Sequence, residues 1–287
     1  MDPKKFLLPL LLLAAASLAC GVNITLPKTE VKTGPTITEP IHIPNVDGAA
    51  DLKLSIGGGK LTLTPGAASA LVEGTATYNV ADFKPAIKTD GASVSLEQGS
   101  LEINGVPSFS EEVINEWNLA LGTAPMILRI NGGAYQASYD LGGLALQNLT
   151  IKDGAADVKL TFSRPNQAEM GLFDYQTGAS SVRMSQLANA NFASMVFQAG
   201  LGNYVLDFSG VLQRSANVKI TAGLSNLTLI VPAGVDAKVT VTEGLSNIDT
   251  SGQWTKTGDT YTQPGNGPTL TITIDIGGGK LTLSNTP

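Results

Sequence analysis

The sequence predicts an all-β protein: a single-stranded β-solenoid of short strands with glycine corners and a period of about 22 residues. Three observations carry this. GGAY, GAAD, GASS, GLGN, GLSN and GLSN begin at Gly132, Gly154, Gly178, Gly200, Gly223 and Gly244, with gaps of 22, 24, 22, 23 and 21 residues. A recurring unit of this length buries its apolar face only by stacking on a neighbour. Each glycine turn is followed by a short alternating strand, such as Tyr204 to Phe208 or Leu227 to Val231, and half a period later by a second, such as Val218 to Ile220 or Val239 to Val241. Composition agrees: 32 glycines among short Val, Ile, Leu and Thr runs, 43% hydrophobic and 15% charged residues, favour tight turns around a packed β core over disorder.

Residues 1–19 read as a signal peptide. Lys4 and Lys5 form a basic start, Phe6 to Leu18 is apolar, and small residues lead to Cys20, the only cysteine. SLAC-G resembles the bacterial lipobox, with cleavage between Ala19 and Cys20 and a diacylglycerol on the thiol. Ser17 stands where that motif usually has leucine. The alternative is an ordinary signal peptide cut near Ala19. A sole cysteine at the boundary favours lipidation, because an exported free thiol is a liability.

Residues 20–47 are rich in Thr and Pro and read as an extended tether, with His42 as a solvated linker residue. One histidine supplies neither a triad nor a metal cluster. Residues 48–130 form an N-terminal β region. Leu52 to Pro65 reads as two strands about a glycine corner, and Leu71 to Val80 and Ala92 to Ile103 as further strands. Ser108 and Glu111 have capping-box spacing, so 107–118 predicts a short helical turn before the alternating Trp117, Leu119 and Leu121 and the strand Met126 to Ile130.

Residues 131–287 hold the repeats and a C-terminal cap. In three successive repeats the third residue after the glycine is Asn203, Asn226 and Asn247. These are a candidate structural ladder of side-chain amides, either a line that binds an extended glycan or a corner where Asn tolerates left-handed backbone. Trp254 and Tyr261 are candidate exposed aromatics, with capping of the last rung as the favoured role. The octapeptide IGGGKLTL occurs twice, at Ile56 to Leu63 and Ile276 to Leu283.

Several chemistries are disfavoured. GGGKLT is no phosphate loop: Leu54 and Leu61 replace its first glycine and its hydroxyl residue, and no helix follows. The turns lack the aspartates of calcium-binding nonapeptides, so no metal and no cofactor is expected. A glycan-active enzyme needs clustered carboxylates, yet Asp140, Asp157, Asp207, Asp236 and Asp249 do not share one repeat position. Asp207 sits within an apolar strand, where alternation places it on the outer face opposite Val205. The three N-x-T sequons, at Asn23, Asn148 and Asn226, are chance matches in a Thr-rich chain. The net charge of −6 becomes about −7 once the leader takes away two lysines and an aspartate, and no basic stripe follows phosphates, so nucleic acid is not a partner.

The segments Ile56 to Val80, NEWNLALG, DLGGLALQNLTIKDGAADVKL, LDFSGVLQRSANVKI and GLSNLTLIVP resemble the toast-rack family of bacterial exported proteins. The resemblance runs from about Ala49 to Leu283. It implies a β-solenoid related to the C-terminal domains of LiaF-like envelope stress proteins and to adhesin-like solenoids, and it brings no catalytic residue.

The expectation is a non-catalytic, lipid-anchored protein of the bacterial cell envelope. It would bind or scaffold an envelope protein or glycan in the manner of an adhesin, and would be secreted if Cys20 is not lipidated. The alternative is a regulatory sensor in an envelope stress response, with a glycan-active enzyme as the least favoured reading. Replacing Leu206 or Leu229 by Asp is expected to put a charge in the stacked core.

Overall fold

The structure is a computed structural model that describes residues 28–101, 106–109, 111–242 and 247–286. Its strands are β1 (Lys28–Val31), β2 (Ile37–Pro44), β3 (Ala50–Pro65), β4 (Ala70–Tyr78), β5 (Pro85–Asp90), β6 (Ser93–Gln98), β7 (Val106–Phe109) and β8 (Asn115–Leu121). The repeats contribute β9 (Met126–Asp140), β10 (Leu146–Thr161), β11 (Met170–Ser185), β12 (Phe192–Asp207) and β13 (Ala216–Ile230). The chain ends with β14 (Gly234–Val241), β15 (Asn247–Ser251), β16 (Thr255–Thr257), β17 (Thr260–Gln263) and β18 (Gly265–Ser284). β1 and β7 form a separate parallel pair, and all other strands belong to one sheet.

The glycine corners lie inside strands rather than between them. The two short strands of each period run on as one strand of 15 or 16 residues. In β10, burial alternates up to Asp153, slips at the two exposed residues Gly154 and Ala155, and resumes at Ala156. That slip is the corner: residues before and after it face one core from two directions, which we call the first and second arms. From Gly133 to Gly223 the corner glycines have a steric cause. A Cβ on Gly178 or Gly200 would lie 2.5 Å from the carbonyl oxygen of the glycine one rung earlier, and on Gly133 2.1 Å from that of Gly57. Real Cβ atoms do not approach backbone so closely, so the rungs close up only if glycine stacks on glycine. In the first repeat the stacking residue is Gly133, not Gly132.

The parallel stack runs β3–β9–β10–β11–β12–β13–β18. Its order departs from chain order at both ends. β3 lies between β9 and a split rung made of β6 on the first arm and β8 on the second. β18 lies between β13 and a split rung made of β14 and β15. The two copies of IGGGKLTL therefore mark equivalent next-to-last rungs. Leu270, Ile272, Ile274, Ile276, Leu281 and Leu283 of β18 are almost wholly buried, whereas β15 offers only a partly buried Ile248. The more apolar strand takes the position covered on both sides. The third side of each coil is an irregular connector. Buried asparagines hold these connectors: Asn166 Nδ2 donates to the Leu146 carbonyl at 2.8 Å, and Asn189 Nδ2 to that of Phe162 at 2.9 Å.

Three sequence expectations are corrected. The stretch 20–47 is not a tether throughout, because Ile37–Pro44 pairs antiparallel with β4, with Ile41 and Ile43 turned into the core. Its prolines are tolerated because β2 is an edge strand, and His42 is solvated on a strand, not in a linker. No helical turn occupies the described residues of 107–118; Ser108 lies in β7. Asn79 ties down the backbone at 112–114, donating to the Glu112 carbonyl and accepting from the Ile114 amide, both at 2.8 Å. The boundary at 130/131 falls within β9, which pairs along its length with β3, so the N-terminal β region and the repeats share one sheet and one core.

Candidate functional site

The outer face of the second arm carries a continuous polar row. Strand register places Glu116, Lys60, Gln136, Asp157, Ser181, Asn203, Asn226, Lys280 and Asn247 side by side on nine successive rungs. At about 4.8 Å per rung the row spans roughly 38 Å. All nine side chains project outward because each stands one residue from an inward partner, as Asn203 does from the buried Tyr204. Both ends are pinned. Lys60 Nζ lies 2.6 Å from Glu116 Oε1, and Lys280 Nζ 2.6 Å from Asp249 Oδ2. A shallow groove of about 260 Å³ opens between Lys60, Gln136, Ser138, Asp157 and Lys159.

The predicted asparagines divide on this row. Asn226 Nδ2 donates to Asn203 Oδ1 at 3.0 Å. Asn247 is not next to Asn226, because the inserted β18 puts Lys280 between them. None of the three adopts left-handed backbone; they lie in extended strand beyond the corner.

The two aromatics are not exposed. Tyr261 is buried in β17, which pairs antiparallel with β14, and Lys256 Nζ stands 5.4 Å from its ring centre. Trp254 is partly buried against the core. Tyr261 covers the end of the first arm. Ala19, Cys20 and Gly244 lie outside the described residues.

The candidate carboxylates are scattered, each with its own surroundings. Asp140 accepts from the Ser163 hydroxyl at 2.7 Å, Asp236 accepts from the Thr269 hydroxyl at 2.6 Å, and Asp249 pairs with Lys280. Asp157 projects from the polar row. Asp207 is buried rather than outward, because its carboxylate turns back at the strand end to accept from the Ser209 amide at 2.9 Å.

A different carboxylate holds the corner of the core. Asp153 is buried, and its two oxygens accept from two phenols: Tyr135 on Oδ1 at 2.5 Å and Tyr175 on Oδ2. Tyr139 in turn donates to the Tyr135 oxygen at 3.0 Å. Space for this comes from Gly132, where a Cβ would lie 2.0 Å from the Tyr135 ring. Burial pushes the Asp153 carboxyl up from its ordinary value, opposed by the two phenols, and pushes all three tyrosines up, so the phenols stay neutral donors. The side chains are buried, and Asp153 also borders an open depression of about 560 Å³ together with Lys152, Gln176, Thr177 and Gln198. One sequence signal marks it. At the inward position before the corner glycine the rungs carry Ile56, Thr177, Ala199, Ala222 and Ile276, so an aspartate two residues after the buried Ile151 stands out.

Comparison with known families places this architecture. Residues 30–172, close to half of the chain, match the model of the N-terminal domain of toast_rack, DUF2154. The chain belongs to the toast-rack family. No curated protein matches it. Among solved structures, the toast-rack chain is similar to a candidate cell adhesion protein from Clostridium sporogenes, at 18% identity and a TM-score of 0.45, covering 87% of this chain and 99% of the other. A candidate adhesin from Bacteroides fragilis aligns at 8% identity and a TM-score of 0.48, over 88% and 99% of the two chains. A candidate lipid binding protein from Parabacteroides distasonis aligns at 8% identity and a TM-score of 0.38, over 89% and 99%. Among the described residues of this toast-rack chain, no helix is long and apolar enough to cross a membrane.

Proposed function

We propose that this toast-rack protein is a non-catalytic binding module of the bacterial cell envelope, held outside the membrane by a lipid on Cys20 and presenting the outer face of its second arm to an envelope glycan. The observation that carries this reading is the nine-rung polar row. Amides, hydroxyls and charges recur there at one fixed spacing on a rigid sheet, which suits a linear ligand contacted many times weakly rather than a substrate held at one point. The scattered carboxylates favour binding over hydrolysis, which needs a pair of acids at a set separation.

The test is co-sedimentation of the protein with purified envelope polysaccharide, comparing the unsubstituted chain with Gln136→Ala/Asn203→Ala/Asn226→Ala. These positions are exposed, so the triple variant is expected to keep its melting temperature and lose most of its binding. Equal binding by the two chains would discard this face as the binding surface. Intact mass of protein recovered from membranes of the native host tests the anchor: a chain starting at Cys20 with added acyl mass is expected, and Cys20→Ala is expected to lack it.

A further inference from the structure

The stack has four ends, two arms at each extremity, and at three of them an added antiparallel strand covers the terminal rung. The outer edge of each added layer is guarded by proline or lysine: Pro40 in β2, Pro85 and Lys88 in β5, Lys256 in β16. At the N-terminal extremity, β5 pairs antiparallel with β6 on the first arm, and β4, followed by β2, pairs antiparallel with β8 on the second. At the C-terminal extremity, β17, followed by β16, pairs antiparallel with β14 on the first arm. The fourth end is β15. Among the described residues it pairs with β18 alone, leaving one edge of Asn247–Ser251 without a ladder.

The core shows the consequence. On the closed first arm Ala237 and Val239 of the terminal rung are buried, whereas on β15 the inward positions are a partly buried Ile248 and an exposed Thr250. A bare edge is a template for another strand, and proteins that leave one unpaired usually guard it with lysine, proline or a bulge. β15, sequence NIDTS, has none of these guards. Its one charge, Asp249, is already answered by Lys280 on the neighbouring rung.

We infer that β15 is an interaction surface and that its partner is a second copy of this chain, joined by antiparallel pairing of β15 with β15 about a two-fold axis. An antiparallel strand closes each of the other three ends, and a two-fold operation on one edge generates antiparallel pairing and a closed dimer. Side-chain complementarity selects the register that sets Ile248 against the partner's Ile248 on the core side. On the outer side it sets Asn247 against the partner's Asp249, so that in each direction an amide donor meets a carboxylate. No register with Asp249 opposite Asp249 is needed, and the two sheets join into one. In this register three residues of β15 pair on each side, Asn247, Ile248 and Asp249, a small seam, so the association is concentration-dependent rather than obligate. This inference does not depend on what the polar row binds.

The test uses the full chain carrying Cys20→Ser, which contains no other cysteine and cannot be acylated. Sedimentation across a concentration series is expected to show a dimer whose affinity falls about ten-fold or more in Thr250→Lys, a guard residue placed on an exposed position of the edge. In the same background, Ile248→Cys is expected to give a disulfide-linked dimer on mild oxidation, far more than Ile37→Cys on the opposite extremity. A monomer at all concentrations overturns the inference. So does a dimer that Thr250→Lys leaves intact at an unchanged melting temperature, or equal cross-linking from Ile248→Cys and Ile37→Cys.

Discussion

Lys60 and Lys280, the fifth residues of two identical octapeptides, hold equivalent places at opposite ends of one polar row, and each is met at 2.6 Å by a carboxylate from a split terminal rung. The contacts look alike but sit in solvent, where an ion pair gains little over its hydrated partners. Replacing either lysine by methionine is expected to leave thermal unfolding unchanged. A marked drop in melting temperature would mean that these pairs lock the terminal rungs in place.

The inward rows carry the stability. Leu206 and Leu229 are fully buried and paired across β12 and β13 in the middle of the stack. Leu206→Asp forces a carboxylate into a site with no partner, at a cost of about 4–5 kcal/mol, comparable with the whole stability of many domains. The expected outcome is an insoluble or unfolded chain by circular dichroism. A native melting curve would show that this strand does not face inward.

The corner glycines make a graded prediction. A Cβ on Gly178 would lie 2.5 Å from the Gly154 carbonyl oxygen, but on Gly277 it would lie 3.6 Å from that of Gly223, an ordinary contact. Gly178→Ala is therefore expected to cost about 1–3 kcal/mol by forcing the rungs apart, and Gly277→Ala no more than about 0.5 kcal/mol. Chemical denaturation of the two variants side by side decides it; equal losses would refute the carbonyl clash as the reason for the glycine row.

Asp153 gives a pH dependence. Its carboxyl is raised by burial, so the folded chain holds the proton more tightly than the unfolded one. That contribution is fully present below the unfolded value of about 4 and is lost as pH rises through the raised folded value. Asparagine at 153 carries no such charge and still offers an acceptor to one phenol and a donor to the other. The melting temperature of Asp153→Asn relative to the unsubstituted chain is expected to climb between pH 4 and pH 8. Parallel profiles would mean that Asp153 does not titrate against burial.

What was legible in the sequence follows from what is local. Glycine spacing and apolar alternation are written in neighbouring residues, so the solenoid, the inward Leu206 and Leu229, and the position of Asn203 beside Asn226 could be read directly. Stacking order is not local. Nothing within IGGGKLTL says that its second copy enters between β13 and the split rung, and that insertion separates Asn247 from Asn226. The Asp153 cluster leaves no shared repeat position in the sequence, because its tyrosines come from different rungs and different sides of the corner. β2 was hidden by its prolines, which signal a linker unless the strand is known to lie at an edge.

The insertion of β18 also predicts how the chain can be shortened. In a solenoid stacked in chain order, removing the last strand exposes one rung and leaves the rest standing, because each rung contacts only its neighbours. Here β18 is bonded to β13 on one side and to both β14 and β15 on the other, and its six inward side chains are buried. Deleting residues 265–287 would strip the cover from β13 and leave β14–β17 with nothing to stack on. The expected result is loss of the cooperative transition, or a transition far below that of the full chain, with residues from 234 onward open to proteolysis. Deletion of 286–287 alone, beyond the strand, is expected to change neither. If the chain ending at 264 melts like the full one, β18 does not occupy an interior rung, and the equivalence of the two octapeptides falls with it.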